Sequence, residues 1–287
     1  MTAIYKKELK SFFINMMGMI FIAFVLLMLG IFTVAVNLVS LYPNFERAVY
    51  SSMLIYPFLI PILTMRSIAE EKRQRTEQLL LSAPVRVSDI VLGKYFAMLT
   101  IIAIPLAVTC LYPVVLSFYG KIAFAPSYNA IFSLFLLGAA LTAIGMFISS
   151  LTENQIIAAV ATLAVMLLLY FMKSLIQMMT ASAVLSLVVF ALFAVAIALV
   201  VQAMTRNKTV SIITGFVLVI VLGAFYSLNP SVLSAAFSAL LSGISVFARM
   251  DNAYFGVLDL QAIVYFLSVA ALFVFFTVQS IEKRRWS

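Results

Sequence analysis

RSIAEEKRQRTEQLLLSAPVRVSDIVLGK, residues 66–94, holds 10 charged side chains in 29, six basic and four acidic. The whole chain of 287 residues is 65% hydrophobic and only 10% charged. Soluble domains are about 45–50% apolar and about 25% charged. A chain of this length buries only about three quarters of its surface in a water-soluble fold. So much apolar side chain needs a bilayer, and residues 66–94 must be a polar excursion between membrane spans. The fold class that follows is an all-α polytopic membrane protein.

Working outward, a helix needs about 20 apolar residues to cross. Eight stretches qualify: Phe12–Val36, Val49–Met65, Tyr95–Tyr119, Ser127–Leu151, Gln155–Met172, Ala183–Met204, Val210–Leu228 and Leu260–Ile281. Pro57 and Pro61 fall in the second, Pro105 and Pro113 in the third. Such prolines kink a span and are tolerated where neighbouring helices satisfy the freed backbone. The N-terminus is basic, but the apolar run after it is too long for a cleaved signal peptide. We read it as an uncleaved first span.

Cytoplasmic loops are enriched in Lys and Arg. With the N-terminus inside and eight crossings, 14 of the 18 basic residues fall inside and 4 outside: Arg47, Lys121, Lys173 and Arg249. Both termini are then cytoplasmic. Seven of the ten acids also lie inside, so +7 of the net +8 is cytoplasmic. The net charge is therefore a topology signal and calls for no nucleic acid. The absence of His and the single Cys110 exclude imidazole chemistry, a Cys cluster and an internal disulfide.

Residues 229–247 are apolar enough to question this count. Ser231, Ser234, Ser238, Ser242 and Ser245 share one helical face, and Asn229-Pro230 is a helix start. A ninth span here would put Lys283, Arg284 and Arg285 outside. An outer-leaflet interfacial or re-entrant helix avoids that; a ninth span with packed serines is the alternative. Thr152 and Asn154 match Thr205 and Asn207 at an offset of 53. The hairpin 183–228 is either a copy of the preceding one or a convergent use of polar turn residues.

The first part of the charged loop is an amphipathic helix over 69–83. Glu70, Glu71, Lys72, Arg73, Arg75 and Glu77 form its charged face, Leu79, Leu80 and Leu81 its apolar end, and Pro84 its stop. Mixed charge with an apolar edge suits a soluble partner better than anionic lipid, which favours Lys and Arg alone. A solvated loop with i,i+4 ion pairs is the plainer alternative.

These residues resemble the signature of ABC-2-type transporter permeases: Glu70, Glu71, Arg73, Thr76, Glu77, Leu79–Leu81, Pro84, Val85 and Gly93-Lys94. The turn SSLTENQIIAAV and the ending YFLSVAALFVFFTVQSIEKRRWS resemble the gliding-motility permease branch. Arg75 stands where that family usually has Gly, and eight spans exceed its usual six; the hairpin 183–228 accounts for the extra pair. The resemblance implies one transmembrane domain over 1–287, with a connecting helix at 5–13 on the membrane surface. Residues 69–83 become the coupling helix, with Glu70, Glu71, Arg73, Thr76, Glu77, Leu80, Leu81 and Pro84 seated on a separate ABC ATPase subunit. Glu153 and Asn154 are a possible second contact, or simply solvated turn residues. A second permease chain, identical or related, completes the membrane part in a bacterial-type inner or plasma membrane.

The resemblance further implies that ATP and Mg reside on the partner subunit and that this chain holds no cofactor. No G-x-x-x-x-G-K-[ST] occurs here: Tyr95 follows Gly93-Lys94, and Ile122 follows Gly120-Lys121. The resemblance accordingly implies an exporter's permease and not an enzyme. Its spans lack mid-membrane charges, which disfavours an ion-coupled carrier and suits an amphiphilic or apolar substrate. A secondary carrier, a channel or a non-transporting scaffold are the rival readings.

Overall fold

The computed structural model describes residues 1–74, 85–180, 239 and 241–285. Every regular element among them is helical. Six stretches are long and apolar enough to span a bilayer: Met17–Val39, Phe45–Arg73, Val87–Ser117, Phe124–Leu151, Gln155–Met172 and Leu260–Lys283. They answer to six of the eight spans expected from hydropathy. The other two, within the hairpin 183–228, lie outside the described residues, as does most of the serine-faced segment 229–247. The chain divides into a unit of residues 1–170 with 249–287 and a unit of residues 171–248.

In the first unit, α1 (Thr2–Ile14) is followed by α2 (Met17–Thr33), which runs on as a π-helix over Val34–Val39. The joint between α1 and α2 is Met16, at φ 54°. A left-handed non-glycine residue there carries backbone strain, and it separates a helix with no fully buried residue from an apolar span. The second span is segmented. α3 (Phe45–Ser52) passes through a 3-10 turn at Met53–Ile55 into α4 (Tyr56–Thr64), where Pro57 occupies the first turn and Pro61 the interior. α5 (Ala69–Arg73) continues beyond the membrane-like run.

α6 (Val87–Thr109) begins eight residues before the apolar stretch assigned from hydropathy. Its polar-looking start, VSDIVLGK, still buries Val87, Ile90, Val91, Gly93 and Lys94. α7 (Tyr112–Ser117), α8 (Phe124–Leu151), α9 (Gln155–Thr180), a 3-10 helix at Phe247–Met250, α10 (Asp251–Tyr254) and α11 (Leu260–Arg285) follow.

The most enclosed of these spans is α8, which packs against α3, α4, α6 and α11. Lipid tails are as apolar as leucine, so helices in a membrane associate through close packing rather than through hydrophobic exclusion. The small residues of α8 provide it. A Cβ placed on Gly145 would stand 2.5 Å from Thr64 Oγ1, and one on Gly138 would stand 3.2 Å from the ring of Tyr56. The hydroxyls of Thr33, Thr64 and Thr109 bond back to carbonyls four residues earlier at 2.7–2.9 Å. Buried hydroxyls satisfied within their own helix need no water.

The two ends of this unit differ in chemistry. At one, Arg47 lies over the rings of Tyr42 and Tyr254 at 4.8 and 5.3 Å, and Tyr50 donates to Asp251 Oδ1 at 2.9 Å. Asp259 accepts from the Gln261 N–H at 2.9 Å, starting α11. Gly256, at φ 70°, lies so close to Pro126 that any Cβ would overlap it. The opposite end gathers α1, α5, the start of α6 and the end of α8. In the second unit, Ser242 donates to the Ala239 carbonyl at 2.9 Å, the back-bond of a serine in a helix.

Candidate functional site at the base of the charged loop

α5 is too short to hold itself. Five residues lie well below the length at which an isolated helix is stable in water. Its acids Glu70 and Glu71 fall in the first turn and its bases Lys72 and Arg73 in the last, which complements the helix dipole. Tertiary contacts do the rest. Ile68 and Ala69 are buried, and the Ala69 N–H donates to Ser149 Oγ at 3.2 Å.

Consecutive side chains of α5 point to different neighbours. The Lys72 side chain is buried, and its ammonium donates to the carbonyl of Ser150. That carbonyl is among the last four of α8, which have no partner inside the helix. A lysine there both satisfies an acceptor and suits the negative end of the dipole. Glu71 turns the other way. Its Oε1 lies 2.7 Å from Lys94 Nζ and 3.7 Å from Lys7 Nζ.

Lys94 itself is 3% exposed. Besides Glu71 of α5 it reaches Glu8 of α1, at 3.2 Å. Lys7 Nζ stands 3.6 Å from the same Glu8 oxygen. Two ammonium and two carboxylate groups from three elements thus form a neutral cluster. An unpaired buried charge is costly, and losing one partner of a buried pair destabilises by about 3–5 kcal/mol. Lys7 is the weak corner: its side chain is 61% exposed and its contacts are longer.

The neighbouring Gly93 explains how α1 comes so near. A Cβ at that position would lie 3.0 Å from Ile4 Cγ2 and 3.3 Å from the Met1 carbonyl oxygen. The seam continues along α6, where the hydroxyls of Tyr5 and Thr100 are 3.0 Å apart. A cleft of about 450 Å³ opens beside the cluster, bordered by Ser11, Asn15, Arg66, Glu70 and Gln74 as well as the charged four. Glu70 lies on its rim, with Oε2 3.7 Å from Arg66 Nε and Oε1 accepting from Gln74 at 3.1 Å.

The residues named for the coupling face separate as follows. Arg73 is exposed, Glu70 is half-buried, and Glu71 turns inward to Lys94 and Lys7. Thr76, Glu77, Leu80, Leu81 and Pro84 lie outside the described residues. Asn154 is committed to its turn, with Oδ1 accepting from the Ile156 N–H at 2.9 Å to cap α9; Glu153 beside it is exposed. Two participants, Glu8 and Lys94, were not read as ion-pair partners in the sequence. The available signals were a lone acid in the basic run KKELK and a lysine kept inside an otherwise apolar helix start.

A helical membrane protein with a charged loop, braced at its base against three spans or their extensions, is the class that fold and site define. A family model described as ABC-2 family transporter protein matches residues 39–184, just over half of the chain and the whole of the charged loop. The chain belongs to that family of transporter permeases. No curated protein and no solved structure matches it.

Proposed function

We propose that this permease is the membrane half of an ATP-driven exporter whose charged loop, residues 66–94, receives the stroke of a separate ABC ATPase subunit. The observation that carries this reading is the bracing of the loop. Lys72 fastens it to the end of α8, and Glu71 fastens it to α6 and α1. A loop that was merely solvated would need no buried lysine on either side. With its base fixed, a push on the exposed part, beginning at Arg73, is transmitted to spans rather than lost in the loop.

ATP and Mg²⁺ act on the partner, which closes on nucleotide. This chain turns that closure into a rigid-body change of its helices, a common transport scheme. Two permease chains make the pathway. Among the described residues no charged side chain stands at the middle of a span, which favours an amphiphilic or apolar cargo over an ion-coupled one. The 14 basic residues on the loop side support a cytoplasmic position for that side, and the membrane of this reading is a bacterial-type inner membrane.

The test is copurification. A tagged permease expressed with its neighbouring reading frames is expected to retain a P-loop ATPase, and Leu80→Asp is expected to release it or to free ATP hydrolysis from control by the membrane part. A purified permease that brings down no ATPase, and transports equally well with the loop charge-reversed at Glu77→Lys, contradicts the reading.

A further inference from the structure

We infer that Lys94 is a positioning residue for coupling: it clamps the base of the charged loop and the N-terminal helix to the start of the third span, so that the three move as one body. The inference rests on the proposed ATP-driven role for its purpose, but its physical content concerns this chain alone.

Three observations carry it. Lys94 is 3% exposed and projects from α6 to carboxylates on two other elements, Glu71 of α5 at 2.7 Å and Glu8 of α1 at 3.2 Å. A largely buried ion pair is sensitive to geometry, because its attraction offsets the desolvation cost only when the groups meet well; here the Lys94 ammonium is buried and the two carboxylates are 14% and 17% exposed. The contact therefore resists separation of the elements more steeply than an exposed pair does. Next, a cleft of about 450 Å³ opens between α1 and α5, lined by Lys7, Glu8, Ser11, Glu70 and Glu71 among others. The charges bridge that space. Last, Gly93 lets α1 pack closely on α6, and toward α5 the Lys7 side chain of α1 meets Glu71. Lys7 is the other cation at Glu71, and it is mostly exposed and a full ångström farther away.

The seam is testable with two spin labels, at Lys10→Cys on α1 and Arg73→Cys on α5, both exposed positions. Cys110→Ala removes the native thiol. Dipolar distance distributions are measured for the full chain in lipid nanodiscs, first alone and then with the ATPase subunit, with and without ATP and vanadate. The expected result is one narrow distribution that nucleotide leaves unchanged. Lys94→Met is expected to broaden it at least twofold and to make it respond to nucleotide; Lys94→Arg is expected to restore the narrow form. An unchanged narrow distribution in Lys94→Met overturns the clamp. If Lys94→Met does not fold, Glu71→Gln takes its place, with broadening expected and an unchanged width again decisive against it. Failure of the unlabelled chain to bind any ATPase sinks the proposed ATP-driven role instead, while the widths for the labelled chain alone still decide the clamp.

Discussion

Glu71 and Lys72 are neighbours in sequence, yet one is paired with α6 and α1 and the other with the end of α8. That divergence is what turns a charged loop into a braced one. The charges themselves are plain in the sequence. Their pairing is not, because Glu8 lies 86 residues from Lys94 and only the docking of α1 on α6 brings them together. Packing at single residues gives a direct stability prediction. Gly145→Ala places a methyl 2.5 Å from Thr64 Oγ1 and 2.9 Å from its Cγ2. Overpacking of this kind costs about 1–3 kcal/mol. A lower melting temperature in detergent is expected for Gly145→Ala, with partial recovery in Thr64→Ala/Gly145→Ala; additive losses in the double variant speak against the contact. Met16→Gly, by contrast, is expected to leave melting unchanged or raise it slightly, since glycine adopts φ 54° without strain. A marked drop on calorimetry contradicts the assignment of that joint.

At the scale of elements, hydropathy located the six described spans because apolar runs of this length have few other uses. It misplaced their ends where a helix continues through charge. α6 starts at Val87 rather than Tyr95, since Ile90, Val91 and Lys94 are buried against other elements despite the polar surroundings in sequence. The second span ran longer than its apolar core for the same reason, ending in α5. The first began later, at Met17, because Asn15 and Met16 interrupt the helix. The relation of α1 to α6 predicts a further result. Gly93→Leu fills the space held by Ile4 and the Met1 carbonyl, so it must displace α1. Faster backbone hydrogen exchange over residues 2–14 is the expected consequence, with α8 unaffected. Equal protection of α1 in wild type and variant contradicts the seam.

For the whole molecule, membership of the ABC-2 transporter family fixes the class, and the distribution of charge predicts an orientation that can be tested. Tyr119 is 82% exposed and stands beyond α7, at the end opposite the loop. A cysteine at Tyr119 in the Cys110→Ala background is expected to react with an impermeant maleimide added to intact cells, and a cysteine at Arg73 only after the membrane is opened. The reverse pattern inverts the topology. On the proposed function, force enters this permease through the loop end. The most direct measurement is crosslinking from Arg73→Cys, in the Cys110→Ala background, with a short thiol-to-amine reagent in membranes containing the ATPase subunit. An adduct between the two subunits is expected at Arg73→Cys and none at Tyr119→Cys. An adduct formed from Tyr119→Cys, with none from Arg73→Cys, contradicts that function.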